Sequence, residues 1–242
     1  MNETHQVLTK NQIRRFLLKI DFGEEVPTEE IVNALKNDFA RLEKRVVSGY
    51  AVTIDAKSVE PATVKKEDTA EYCLANDHGA VLVVSPAQKA VIIRSEFYRD
   101  CSVYEGIVDK LSAVCSNCMA KRIGLRYINV FPCTKTAQIS HVLKAPYASA
   151  VKALLSGGSI CRAVCVQTVN RENGNLCNVQ FGVPNDAFPN VIGKLDLLLD
   201  VDSAFAGAVQ GSQWSEKIKA LNHSAYVVFR DFVTDQQVSD ME

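Results

Sequence analysis

The sequence predicts an α+β fold, in which a mainly antiparallel sheet is covered by helices on one face. Three observations lead to this prediction. Segments with strand-like alternation of apolar and polar residues outnumber helical segments. The helical segments fall between the strands in the order strand, helix, three strands, helix, and this order occurs twice. Each helical segment carries its apolar residues on one side, which is typical of helices that pack against a sheet.

The first strand is predicted at residues 13–22 and the first helix at residues 26–45. Thr28 is a suitable N-cap for this helix, and Lys44 and Arg45 would complement the dipole at its end. The apolar side of the helix is predicted to consist of Ile31, Leu35, Phe39 and Leu42.

Three strands and a second helix complete the first half. The strands are predicted at residues 45–57, 71–86 and 89–99. The helix is predicted over residues 102–118, where Ser102 and Glu105 have the spacing of a capping box.

The second half repeats this order. A strand at residues 122–131 precedes a helix at residues 147–158. Strands at 159–170 and 176–184 are expected to pair as a hairpin, because Asn173-Gly174 is a turn dipeptide. A strand at 194–205 and a long helix from Trp214 to Val233 complete the half.

The chain is therefore predicted to be one compact domain, residues 1–242, built of two pseudo-repeats at about 13–119 and 120–236. The repeat is inferred from the order of strands and helices, because the two halves have little sequence identity. The order is similar to that of TATA-binding-protein-like duplications, which is an analogy of fold and carries no function.

Composition excludes several classes of protein. The 27 basic and 28 acidic residues give a formal net charge of −1, which does not favour nucleic acid as a partner. No apolar run reaches the length of a membrane helix, and the polar N-terminus has no secretory pattern. The eight cysteines follow no disulfide-framework spacing and are expected to be reduced. We therefore expect a cytoplasmic protein.

Four segments carry a family resemblance. They are EFYRDCSVYEGIVDKL at residues 96–111, RIGLRYIN at 122–129, LDLLLDVD at 195–202 and LNHSAYVVFRDFVTD at 221–235. In this order they resemble a sporadically distributed prokaryotic family of uncharacterised proteins. The resemblance implies no activity. The patchy distribution of the family implies an association with mobile loci such as defence or toxin–antitoxin clusters.

The RIGLRYIN segment supplies candidate binding residues. Strand alternation places Arg122 and Arg126 on one face and Asn129 on the other. The two arginines could bind an anion or a partner's carboxylate. They could equally be the solvated face of a half-buried sheet, paired with neighbouring acids. His223 in the last helix is added as a binding candidate, although a helical histidine more often packs or bridges than catalyses.

The LDLLLDVD segment supplies the acids. Asp200 and Asp202 share strand parity and could together hold a divalent cation in a phosphoryl-transfer enzyme. Structural ion pairs with Arg122 and Arg126 are the favoured alternative, and Arg126 is expected to pair with Asp200.

Other motifs indicate no chemistry. Cys115 and Cys118 form a C-x-x-C at a helix C-terminus, where the dipole does not activate a thiol. Cys161 and Cys165 do not make a convincing second pair for zinc. Phosphate-binding glycine loops and a nucleophile elbow are absent from the sequence.

The favoured function is a non-catalytic binding or interaction protein without a cofactor or metal. Its site would lie where the strand at residues 122–129 meets the strand at 195–202, flanked by the last helix. Its partner would be a protein or an anionic small ligand, and no oligomeric state is predicted. The alternatives are a metal-dependent phosphodiesterase or nuclease using Asp200 and Asp202, and a nucleic-acid-binding sheet.

Overall fold

The computed structural model describes residues 8, 10–53, 63–77, 79–171 and 174–242. The strands are β1 (Ile13–Phe22), β2 (Arg41–Thr53), β3 (Thr63–Ala75), β4 (Ala80–Ser85), β5 (Ala90–Ser95), β6 (Met119–Phe131), β7 (Ala163–Asn170), β8 (Asn175–Val183) and β9 (Leu197–Gln210). The helices are α1 (Thr28–Leu35), α2 (Ser102–Val114), α3 (Ile139–Val142), α4 (Ala145–Leu155), α5 (Trp214–Phe232) and α6 (Asp235–Asp240).

The nine strands form one sheet in the order β2-β3-β4-β5-β1-β6-β9-β8-β7. All neighbouring strands are antiparallel. The strands β1 and β6 therefore join the strands of the first half to those of the second. This mixed structure, an antiparallel sheet with helices, confirms the predicted fold class at that level.

The helices pack on one face of the sheet. Alternate residues of the central strands face them and are buried, as Phe16, Leu18 and Ile20 show on β1. On the last long helix, Trp214 is fully buried and its Nε1 donates to the Val209 carbonyl over 3.1 Å. The other sheet face carries the charged residues, and we call it the open face.

The first helix is much shorter than predicted. It ends at Leu35 and a single 3₁₀ turn follows at Lys36–Asp38. The predicted helical spacing continues to Leu42, yet Leu42 lies on β2 and is 51% exposed. Backbone pairing of all 13 residues of β2 with β3 outweighs the local helical pattern.

The segment predicted as one strand at residues 71–86 is two strands. A turn separates β3 from β4, and Asn76 Oδ1 accepts a hydrogen bond from the Ala80 amide over 2.9 Å. Gly79 takes φ = +78°, a conformation that glycine adopts without strain. The first half thus has four strands after its first helix, where three were predicted.

Two other local predictions have different outcomes. The predicted capping box of Ser102 and Glu105 is not formed at the start of α2. Instead, the backbone amide of Ser102 donates to Asp100 Oδ1 over 2.8 Å. The predicted hairpin forms, since β7 pairs with β8 over its whole length. Asn173 of the predicted turn lies outside the described residues. Within the described part of the chain, no helix is both long and apolar enough to cross a membrane.

Candidate functional site

The open face gathers four of the six predicted binding residues. Arg122 and Arg126 project from β6, and Asp200 and Asp202 project from the neighbouring β9. Arg126 lies directly across from Asp202, and Ile128 lies across from Asp200. Because side chains alternate along a strand, all four leave the face that the helices do not cover.

Arg126 and Asp200 form a two-point ion pair. Nε of Arg126 donates to Oδ1 over 2.9 Å, and Nη2 donates to Oδ2 over 2.6 Å. The Asp200 side chain is 5% exposed and the Arg126 side chain 42%. These hydrogen bonds raise the pKa of the Arg126 guanidinium. The predicted pairing of these two residues is confirmed.

Arg122 lies between two carboxylates. Its Nη1 is 3.6 Å from Asp21 Oδ2, and its Nη2 is 3.7 Å from Asp202 Oδ2. Lys19 approaches the other oxygen of Asp21 at 2.8 Å. The central cations and anions of the open face thus neutralise one another.

Asp200 and Asp202 do not form an open metal site. Both oxygens of Asp200 accept from Arg126. Burial raises the pKa of the Asp202 carboxyl, which Arg122 and Arg126 partly oppose. Among the described residues, no group of three or more His, Cys, Asp and Glu side chains is placed to hold a metal ion.

Asn129 and His223 lie away from these charges. Asn129 is 3% exposed on the helix-covered face, where its Nδ2 donates to the Leu199 carbonyl over 3.1 Å. His223 lies on an exposed position of α5. The helix α5 packs on the face opposite to Arg126, so the expectation that the last helix flanks the charged surface is wrong. The reason is that α5 covers the apolar side of β6 and β9, and alternation puts the charges on the other side.

A cavity of about 140 Å³ lies between the helix-covered face and α5. Tyr127 and Asn129 of β6 contribute to its sheet side, together with apolar residues of β1 and β9. Asn222 and Phe229 contribute to its helix side. The family-like segments therefore meet here on the covered face, where Asn129 is the one strand residue predicted as a binding candidate.

The cavity has a polar end. The Tyr127 hydroxyl donates to Asn222 Oδ1 over 2.8 Å. The Tyr98 and Tyr127 hydroxyl oxygens are 3.5 Å apart. Among the described residues, the amide nitrogen of Asn222 has no hydrogen-bond partner. This amide is therefore a free donor beside an otherwise largely apolar space.

The tyrosines at this end stay protonated at neutral pH. Burial raises the pKa of Tyr127 well above its ordinary value, and it raises the pKa of Tyr98 and Tyr104 as well. Phe16 holds the cluster together, with ring centroids 4.9 Å from Tyr104 and 5.4 Å from Tyr127. The polar end thus presents neutral hydroxyl and amide groups, while Arg99 and Asp100 are among the residues that line the rest of the cavity.

Loop and terminal segments enclose the rest of the cavity. Asn11 fixes the loop before α2, because its Nδ2 donates to the Tyr98 and Arg99 carbonyls over 3.2 and 3.1 Å. Leu8 and Met241 line the cavity from the two ends of the chain. The backbone amide of Lys10 donates to the Met241 carbonyl over 3.0 Å, which ties these two ends together.

The cysteines contribute no comparable arrangement. All eight are free thiols, of which Cys115, Cys73, Cys133 and Cys177 are buried. Burial raises the pKa of Cys115 to about 12. Since the thiolate is the reactive form, this environment does not favour redox work by the C-x-x-C pair.

Comparison with known proteins does not assign this chain to a family. No protein-family model matches the chain, and no curated protein matches it. Among solved structures, a chain described as "KH domains" aligns with 7% identity and a TM-score of 0.22. The alignment covers 93% of this chain but spans only 64% of that one. A likeness at this TM-score carries no argument about fold or function.

Proposed function

We propose that this chain is a non-catalytic binding protein whose ligand site is the cavity between β6 and α5. The observation that carries the proposal is the free Asn222 amide, held by Tyr127 at one end of an otherwise largely apolar cavity. Pockets that recognise small molecules combine apolar walls with a few fixed polar groups in this way.

The ligand follows from the size and charge of the site. A cavity of about 140 Å³ is close to the volume that accommodates a benzene-sized molecule. The buried tyrosines are neutral, so the polar end favours an uncharged group. We therefore propose a single-ring or similarly sized apolar molecule with one hydrogen-bond acceptor directed at Asn222.

The central charges of the open face support binding less well. An anion at Arg126 would have to displace both oxygens of Asp200, and an Arg122 ligand would compete with Asp21 and Asp202. A metal ion at Asp200 and Asp202 would meet the same competition from the arginines. A protein partner on this face stays a prediction, as do the enzymatic and nucleic-acid alternatives.

The two halves of the sheet suggest an origin for the fold. We propose that residues 13–119 and 120–236 are a duplication within one domain, as in TATA-binding-protein-like folds. The support is that each half contributes its first strand to the centre of the sheet and adds its remaining strands outward. The first half then has one additional strand, β2, at its edge.

The biological setting rests on the sequence alone. The family resemblance and the reduced cysteines support a cytoplasmic prokaryotic protein, an accessory factor of a mobile defence or toxin–antitoxin locus. In that setting, the cavity would let a small molecule control the factor's interactions.

Calorimetric titration with benzyl alcohol and with toluene tests the proposed site. The two probes share a ring, but only the alcohol can accept a hydrogen bond from Asn222. We expect saturable binding of both, with the alcohol tighter by about five- to tenfold, the worth of one hydrogen bond. Asn222→Ala should remove this preference and leave toluene binding in place.

A variant that fills the cavity provides a second test of the proposed site. Ala225 lines the cavity on α5, whereas Ala220 of the same helix does not. Ala225→Leu should abolish binding of both probes, and Ala220→Leu should leave it unchanged. Absence of saturable binding to the native chain, or equal binding by the Ala225→Leu variant, would overturn the proposal.

A further inference from the structure

A second site lies at the end of the sheet on its open face. The bordering residues are Arg14, Arg15, Glu96, Phe97 and Ile128, which surround a groove of about 480 Å³. We propose that this groove binds a nucleotide, with the phosphate between the two arginines and the base against Phe97. The inference goes beyond the cavity and does not depend on it.

An irregularity in β1 creates the arginine pair. Ile13 pairs with Asn129 and Arg15 pairs with Ile128, which are consecutive residues of β6. Arg14, between Ile13 and Arg15, is therefore an extra residue without a partner position on β6. A bulge of this kind re-aims side chains and breaks the usual alternation. Both arginines are consequently exposed, and both border the groove, although they are consecutive along a strand.

The charge of the groove favours an anion. Among the described residues, Arg14 has no acidic partner. Arg15 contacts Glu96 at 3.2 Å, but their side chains are 54% and 67% exposed. An exposed pair of this kind is weak, so a phosphate can replace the carboxylate. Asp200, across from Ile128, is already neutralised by Arg126.

Phe97 supplies a surface for a planar base. Its side chain is 72% exposed, which is unusual for a large aromatic residue. One side of the ring lies close to Gly79, where a Cβ would be only 2.4 Å from Phe97 Cδ2. The rest of the ring is available for contact.

The combination points to a nucleotide and not to a simple anion. Arginine forks match phosphate oxygens, and exposed aromatic rings stack on bases with little dependence on sequence. Ile128 adds an apolar side chain to the border of the groove. The groove volume also lies within the range of small-molecule sites. The nucleotide could be free or part of a single strand, because both present the same phosphate and base.

The test titrates three probes: deoxyadenosine, deoxyadenosine monophosphate and a short single-stranded oligodeoxyadenosine. We expect the monophosphate or the strand to bind and the nucleoside to bind at least about tenfold more weakly, since it lacks the charge-assisted contacts. Binding of the monophosphate, with or without the strand, assigns a free nucleotide. Binding of the strand alone assigns a nucleotide within a strand.

Variants locate the binding. Arg14→Ala and Phe97→Ala should each weaken it by about tenfold, from the loss of a phosphate contact or a stacked base. Glu96→Gln should tighten it by roughly two- to fivefold, because the competing carboxylate is gone. Arg162→Ala and Phe188→Ala remove an exposed arginine and an exposed aromatic ring elsewhere and should leave the affinity unchanged.

Because all five positions are exposed, the variants should fold, which circular dichroism verifies. The proposal is overturned if neither phosphate probe binds at millimolar concentration. It is also overturned if Arg14→Ala and Phe97→Ala bind as well as the native chain, or if Glu96→Gln weakens binding.

Discussion

The two faces of the sheet use their polar residues differently. On the open face, Arg126 and Asp200 contact each other at two points, and Arg122 lies between two further carboxylates. On the covered face, Tyr127 and Asn222 contact each other and both line a cavity, and the Asn222 amide nitrogen has no partner among the described residues. The charged residues are the more conspicuous in the sequence, yet their interactions are satisfied within the chain. The neutral residues retain bonding capacity for a ligand.

This difference follows from burial. Leaving a charge without a partner costs much more at a buried position than at an exposed one, so Asp200 needs Arg126 for stability. A neutral amide at a cavity wall costs less free energy when unpaired than a buried charge does, and it can still bind a ligand or water. The comparison predicts that mutations at the central ion pairs of the open face change stability and that mutations at the cavity change binding.

The largest expected effect is that of Arg126→Ala on the free energy of unfolding. The substitution leaves Asp200, whose side chain is 5% exposed, without its partner. We expect a loss of about 3 kcal/mol, at the low end for a buried pair because Arg126 itself is partly exposed. Urea unfolding of Arg126→Ala, Asp200→Ala and the double variant measures it.

The double variant should be clearly less damaged than the sum of the single variants. Arg122→Ala is the matched control, because its contacts of 3.6 and 3.7 Å are longer and its side chain is 36% exposed. It should cost about 1 kcal/mol or less. Additive effects in the Arg126 and Asp200 cycle would mean that the pair does not stabilise the sheet.

A smaller effect is expected for Tyr127→Phe. The substitution keeps the buried ring but removes the hydroxyl that donates to Asn222 over 2.8 Å. We expect a loss of about 1 kcal/mol in unfolding free energy, the usual value for one hydrogen bond. Tyr147→Phe, on a helix away from the cavity, is the control and should change little. A loss as large as that of Arg126→Ala would contradict the claim that the ion pair of the open face contributes more to stability than the hydrogen bond at the cavity.

The smallest effect concerns pH. Burial raises the pKa of Asp202 above the ordinary value of 3.8, so the folded state holds this proton more tightly than the unfolded state does. The contribution of Asp202 to stability therefore falls as pH rises from about 4 through the raised pKa. Asp202→Asn should gain stability relative to the native chain over this range, by less than about 1 kcal/mol. Urea unfolding of both chains at pH 4 and pH 7 measures this gain. A larger stability gain of Asp202→Asn at pH 4 than at pH 7 would contradict the prediction.

Strand alternation made the open face predictable from sequence. Parity grouped Arg122 with Arg126 on one strand and Asp200 with Asp202 on another, and the Arg126–Asp200 pair was expected from parity together with the family pattern. The turn at Asn76 and Gly79 could also have been recognised, since both residue types are typical of turns. Local patterns of this kind need only neighbouring residues.

The remaining features depend on distant contacts. The helical spacing through Leu42 was misleading because pairing with β3 decided the structure of β2. The cavity depends on how α5, the loop at Tyr98 and the chain end at Met241 meet β6, which no local pattern encodes. The irregularity at Arg14 likewise appears only in the pairing of β1 with β6.

The most direct test compares benzyl alcohol binding by two variants under conditions where both are folded. One is Ala225→Leu, which fills the cavity. The other is Arg126→Ala with Asp200→Ala, which removes the central ion pair of the open face. We expect calorimetry to show native-like affinity for the ion-pair variant and no saturable binding for the cavity variant. Native-like binding by Ala225→Leu, together with loss of binding in the ion-pair variant, would place the ligand on the charged face and contradict the assignment.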